Sequence, residues 1–173
     1  MLGQIKGGGM AGFALNVPAY SSVDNPALSS VYATALGGYV GFRAQYDLNT
    51  RFALSNELTY QVLPYWNGVV EKVLYPSYLC YNILTSYAVW PKLILEAGLG
   101  TGITTVSKWG RRENNDPLFV GSFGARVPVG NWDISVRYYN FIRPLIWRRT
   151  GSDEITFRGQ GVQVGVAYYL TAR

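Results

Sequence analysis

The sequence predicts an all-β chain folded as an eight-stranded antiparallel up-and-down β-barrel. Three observations predict it. Apolar residues alternate with small or polar ones at period two along most of the chain, no capping box leads into a helical apolar stripe, and tight turns alternate with long connections. At 173 residues the chain has room for one domain spanning residues 1–173.

In order, the expected strands run Gly3–Asn16, Val31–Leu48, Arg51–Pro64, Tyr75–Val89, Leu93–Val106, Pro117–Val129, Asp133–Pro144 and Ile155–Leu170. Several exceed the about 5–6 residues usual in soluble strands and match the tilted spans of about 9–11 residues that a bilayer demands. Asn49-Thr50, Pro91-Lys92 and Gly130-Asn131-Trp132 read as tight turns, whereas Val17–Ser30, Tyr65–Leu74, Ser107–Asp116 and Trp147–Glu154 read as long loops. Short turns on one rim and long loops on the other are the pattern of outer-membrane barrels, and an even strand number puts both termini on the short-turn, periplasmic rim.

Parity then assigns the faces. In the last segment Val162, Val164, Val166, Tyr168 and Leu170 share one face, while Gly159, Gly161, Gln163, Gly165 and Ala167 share the other. The wall of a small barrel is crowded inside, so glycine and modest polar groups belong in the lumen and bulky apolar groups face lipid. The second segment likewise sends Gly37, Tyr39, Gly41, Arg43 and Gln45 inward, and the third sends Ala53, Ser55, Glu57, Thr59 and Gln61. Asn56 falls on the lipid-facing row, and the pattern offers no reason for it. Lys6, Arg43, Glu57, Glu96, Arg126 and Arg137 all project into the lumen. None could be buried alone, so a charge-paired interior acting as a structural plug is expected.

Composition supports a membrane setting. Charged residues make up 14% of the chain against about 25% in soluble domains, and aromatics reach 15%. No run of about 18 apolar residues is present, so any crossing must use strands. Trp90 and Trp132 fall at short turns, and Trp66, Trp109 and Trp147 fall where strands enter long loops, the places of two interfacial girdles. Lys72, Lys108, Arg111, Arg112, Arg148 and Arg149 form a basic set on the outer loops, suited to lipopolysaccharide phosphates or an acidic partner, or simply to a solvated rim.

Several chemistries are disfavoured. The chain contains no histidine, which removes Ser-His-Asp triads, the usual zinc sites and a histidine base together. Gly98-Leu99-Gly100-Thr101-Gly102 precedes no helix and keeps a two-residue spacing, so it reads as a lumen row and not as a nucleotide loop. Gly7-Gly8-Gly9 reads as a flexible or closely approached stretch of the first strand. Glu57 and Glu96 lie among arginines, which favours ion pairing over acid–base work. The net charge of +5 is scattered, with no basic block to bind nucleic acid, and Cys80 is a lone cysteine. No catalytic, cofactor-binding or metal-binding residue is expected. Gly3–Gly9 is too poor in apolar residues for a signal h-region, so the chain is read as a mature form without its signal peptide.

Taken with these features, Gln4-Ile5-Lys6-Gly7-Gly8, Leu95–Gly100, Val136-Arg137-Tyr138-Tyr139, Phe157-Arg158 and Val162–Leu170 resemble the small outer-membrane β-barrels typified by the PorT-like proteins of Bacteroidetes and by OmpA/OmpX-like barrels. The resemblance covers nearly the whole chain and carries over no functional residue. It implies an eight-stranded barrel without enzymatic activity, and some members serve in secretion or other envelope assemblies. Such barrels commonly finish on an aromatic residue, whereas this chain continues Leu170-Thr171-Ala172-Arg173. The expectation is therefore a non-enzymatic integral protein of a bacterial outer membrane, contacting lipid, lipopolysaccharide or other envelope proteins through Val17–Ser30 and Ser107–Asp116. An accessory subunit of a larger envelope complex and a soluble lipocalin-like binding barrel are the alternatives.

Overall fold

A computed structural model of the chain describes residues 4–22, 32–67, 72–74, 76–106, 117–142, 145–148 and 154–170. Every regular element among them is a strand: β1 (Ile5–Ser22), β2 (Tyr32–Ala33), β3 (Ala35–Asp47), β4 (Phe52–Val62), β5 (Tyr65–Asn67), β6 (Lys72–Leu74), β7 (Ser77–Trp90), β8 (Leu93–Val106), β9 (Leu118–Val129), β10 (Trp132–Phe141), β11 (Leu145–Arg148) and β12 (Glu154–Leu170). Eight of them form the barrel wall in the order β1-β3-β4-β7-β8-β9-β10-β12, and β1 pairs with β12 to close it. All pairings are antiparallel, and closure leaves the wall no free edge. A strand of about ten residues tilted by about 40° rises roughly 25 Å, the height of the apolar band of a membrane barrel.

The tight turns follow from local chemistry. Asn49 Oδ1 accepts hydrogen bonds from the backbone N–H groups of Arg51 and Phe52 at 2.8 and 2.9 Å, closing the β3–β4 hairpin through a side chain that mimics a backbone turn. Gly130, with φ of 64°, takes the left-handed conformation needed between β9 and β10. At Pro91-Lys92 the β7–β8 register shifts between Ala88 and Trp90, an irregularity that absorbs the turn.

The long-loop side departs from the sequence expectation. β1 continues past Asn16 to Ser22, and its residues 17–22 pair with β12 after the pairing with β3 ends at Asn16↔Ala35. The second expected strand is interrupted after Ala33, because β2 leaves the barrel wall to join β5 and β6 in a small separate sheet. Tyr65–Leu74, expected as a loop, therefore contributes both β5 and β6. β11 adds to β12 through Leu145↔Phe157 to Arg148↔Glu154, where a loop was expected to begin at Trp147. Trp132 opens β10 and is not part of the turn. The differences on the long-loop side have one cause: backbone pairing persists beyond the apolar band, where the hydrophobic alternation that reveals strands in the sequence is no longer required.

Alternation of burial along the wall strands matches the parity. β4 alternates buried with exposed residues from Phe52 to Tyr60, with Asn56 half-buried, and from Gly159 to Leu170 β12 does the same, with Gln160 half-buried. Exposed large apolar side chains lie on the outside, among them Phe42 (73% exposed), Leu99, Phe123 and Val164. The polarity is thus opposite to that of a water-soluble barrel.

The lumen also holds larger groups than glycines and modest polar residues. Tyr39, Tyr78, Tyr139, Phe141 and Tyr169 are buried inside it. Glycines on neighbouring strands make the room. A Cβ on Gly165 would run into the Tyr39 hydroxyl, and one on Gly161 would stand 2.7 Å from that of Tyr139. The rings therefore reach bare backbone where a side chain would stand, and the glycine rows are the complement of the aromatic ones.

Candidate functional site

The most concentrated chemistry lies in the half of the lumen nearer the short turns. Inward positions of β3, β4, β8, β9 and β10 aim Arg43, Glu57, Glu96, Arg126, Asp133 and Arg137 at one another, and all six are buried. Three guanidinium groups thus meet three carboxylates. Arg137 grips Glu57 with both terminal nitrogens, at 2.7 and 2.9 Å, and reaches Glu96 Oε2 at 3.2 Å. Arg43 pairs with Glu96, lies 3.3 Å from Glu57 Oε1, and donates to Ser55 Oγ at 3.1 Å. Arg126 pairs with Asp133, places its Nε 2.8 Å from Glu96 Oε1, and donates to Gln45 Oε1 at 2.8 Å. Ser86 Oγ donates to Glu96 Oε1 at 3.1 Å.

From Gln45 the network continues to the rim. Gln45 Nε2 donates to Asp47 Oδ1 at 2.5 Å, and Lys6 Nζ stands 2.7 Å from Asp47 Oδ2. Among the described residues Lys6 is thus separate from the central group and joins it through Asp47, Gln45 and Arg126. Asp133 and Asp47 were missed as network members from sequence. Asp133 directly follows the turn-side Trp132, and parity counted from Arg137 would have placed it inward. Charge counting gives the same hint, because the six lumen residues named from sequence are four cations and two anions.

Such a cluster braces the barrel across its width. Arg137 on β10 is tied to Glu57 on β4, and Arg43 on β3 to Glu96 on β8, so opposite walls are held by charge-assisted bonds buried from bulk solvent. All three carboxylates of this cluster are engaged by guanidinium groups.

Towards the long loops the interior changes character. Gln163 donates to Gln61 at 3.0 Å, and Gln61 to Thr59 Oγ1 at 3.0 Å, forming an uncharged polar tier. Beyond it Ala14, Leu63, Tyr78, Cys80, Leu118, Val120, Tyr139 and Phe141 pack into an apolar cluster that fills the barrel.

On the outer wall Asn56 finds its reason: the Tyr81 hydroxyl, two strand positions along on β7, donates to Asn56 Oδ1 at 2.6 Å. A polar pair on an apolar face satisfies itself. Near the short turns Trp132 packs tilted against Tyr168 with ring centroids 4.8 Å apart, and Phe52 against Tyr87 at 4.9 Å, with Trp90 64% exposed, making an aromatic band that includes tyrosines as well as tryptophans. Trp66 and Trp147 have their backbones in β5 and β11 and Arg148 in β11, whereas Trp109, Lys108, Arg111, Arg112 and Arg149 lie outside the described residues.

No protein-family model and no curated protein matches the sequence. Solved structures do match in fold. OprG from Pseudomonas aeruginosa is 9% identical over 99% of this chain and 97% of its own, with a TM-score of 0.57. The outer membrane protein AlkL, determined in lipid bilayers, is 9% identical over 99% of this chain and 93% of its own, with a TM-score of 0.54. The outer membrane protein Ail of Yersinia pestis, in a phospholipid bilayer nanodisc, is 13% identical over 95% of this chain and 99% of its own, with a TM-score of 0.51. The chain shares the fold of these outer membrane proteins, a closed eight-stranded antiparallel barrel.

Proposed function

We propose that this chain is a non-enzymatic integral β-barrel of a bacterial outer membrane, whose ion-paired lumen is a plug and whose long-loop side presents the partner-binding surface. One observation carries the reading: a closed wall with an apolar outside and a fully charge-paired inside. A water-soluble, lipocalin-like barrel requires the reverse polarity. Trp90, Trp132 and their tyrosine neighbours then sit at the periplasmic interface, and the basic residues Lys108, Arg111, Arg112, Arg148 and Arg149 face lipopolysaccharide phosphates or an acidic partner. A PorT-like relationship rests on the sequence patterns alone. Electrophoresis with and without boiling, beside a detergent-free solubility test, checks the membrane assignment: a compact, heat-modifiable and detergent-dependent species supports it, and a soluble chain with no mobility shift refutes it. Planar-bilayer recordings without conductance steps support the plug, and stable channels refute it.

A second reading, an accessory subunit of an envelope complex, is favoured by Asn140. This exposed polar residue lies on the outer wall beside Gly121, in a shallow depression also lined by Phe123, Tyr138 and Ile142. Co-purification with a large complex supports this role, and loss of that association on Asn140→Leu places the contact at the wall.

A further inference from the structure

The charged half of the lumen contains donors that the described residues do not satisfy. The Tyr169 hydroxyl and the Nε–H groups of Arg43, Arg126 and Arg137 are buried without a hydrogen-bonding acceptor among the described residues. Arg126 Nε lies near Glu96 but is not aligned for a hydrogen bond, so it counts with the others. Tyr169 is 93% buried by its 7% exposure, and its electrostatic neighbours are Arg43, Arg126, Asp133 and Glu96. Tyr169 therefore shares one neighbourhood with two of the three arginines. Leaving such donors without acceptors is costly, and native interiors avoid it.

We propose that this neighbourhood is a binding site for internal water, reached from the short-turn side alone, so that the barrel is wet below and dry above. Water fits the chemistry better than an anion. It accepts from Tyr169 and the arginines and can donate to a carboxylate, whereas an anion would be held against Glu96 and Asp133. Access follows from a gradient of exposure. The Lys6 and Asp47 side chains at the rim are 31% and 25% exposed, Arg126 and Asp133 deeper in are 4% and 5%, and Glu57 at the centre is 0%. On the other side the cluster around Tyr78, Tyr139 and Phe141 offers solvent a mostly apolar layer, and the Tyr139 hydroxyl donates to Asn16 Oδ1 within the protein, at 3.4 Å. Apolar interior of this kind stays dry. The inference goes beyond a plug, which could equally be dry throughout.

The test is proton-detected solid-state NMR on the full isotope-labelled chain in phospholipid bilayers, following magnetisation transfer from water. Transfer to the Nε–H groups of Arg43, Arg126 and Arg137 should build up several-fold faster than transfer to the amides of Cys80 and Gly102. Tyr169→Phe should slow the build-up at Arg43 and Arg126 more than at Arg137, and Tyr139→Phe should leave all three unchanged. Arginine signals that build up no faster than those of Cys80 overturn the water site, and rapid build-up at Cys80 and Gly102 overturns the one-sided access. The plug is judged separately by conductance, so the water site can fail while the closed lumen stands.

Discussion

Glu57→Gln probes the brace at its best-shielded point. The substitution keeps the shape of the side chain but removes the carboxylate that Arg137 grips at 2.7 and 2.9 Å and that Arg43 approaches at 3.3 Å. Three buried guanidinium groups would then face two carboxylates. Removing one partner of a buried ion pair typically costs about 3–5 kcal/mol, because the remaining charge is stranded. Arg43 retains Glu96 and Ser55, so the loss falls mainly on Arg137, which keeps only its 3.2 Å contact with Glu96. A cost of about 3 kcal/mol, roughly two decades in the unfolding equilibrium, is expected. Adding Arg137→Met restores charge balance and should recover part of that loss, giving a double variant more stable than Glu57→Gln alone. Urea titration in detergent micelles, read by tryptophan fluorescence and cold-gel mobility, measures both. The brace argument is refuted if Glu57→Gln unfolds within about 1 kcal/mol of the parent, or if the two substitutions simply add.

Other expectations follow from single contacts. Gly165→Val should displace Tyr39 from the bare backbone it lies against and cost about 1–3 kcal/mol in the same titration, whereas Gly7→Ala, whose Cβ would point into open space, should change stability little. Tyr81→Phe and Asn56→Leu should each destabilise the barrel by about 0.5–1.5 kcal/mol, and the double variant should recover stability relative to the sum, since both halves of a polar pair are removed together. Lys6→Met removes a rim ion pair that is partly solvated, and its effect should stay below about 1 kcal/mol and shrink with salt. Cys80, buried in the apolar cluster, should resist maleimide in the folded barrel and react only on unfolding; labelling of the native state would show that this tier is open.

The residues reveal the barrel well before the coordinates do, but not evenly. Period two is a local property, and one buried face enforces it over the whole apolar band, so strand number, tight turns and the inward rows of β3, β4, β8 and β12 are legible in the sequence. That rule ends with the apolar band. Past Asn16 and Val62 the chain still pairs, as the β1–β12 extension and the β2–β5–β6 sheet do, yet nothing requires an apolar alternation there to announce it. The inward direction of Arg43, Glu57, Glu96, Arg126 and Arg137 follows from parity within each strand. Their partners do not. Arg137 meets Glu57 across 80 positions of sequence because closure of the β1–β12 seam and the stagger between strands bring β10 opposite β4, and stagger is a property of the closed wall. The same holds for Asn56, which is anomalous in its own strand and satisfied by Tyr81 only once β7 lies beside it. The sequence by itself determined the eight wall strands within the apolar band and which way their side chains point. Which charges meet, which glycine receives which ring, and where the wet half of the lumen gives way to the apolar one were decided by tertiary structure, because they depend on distances between strands that no single strand encodes.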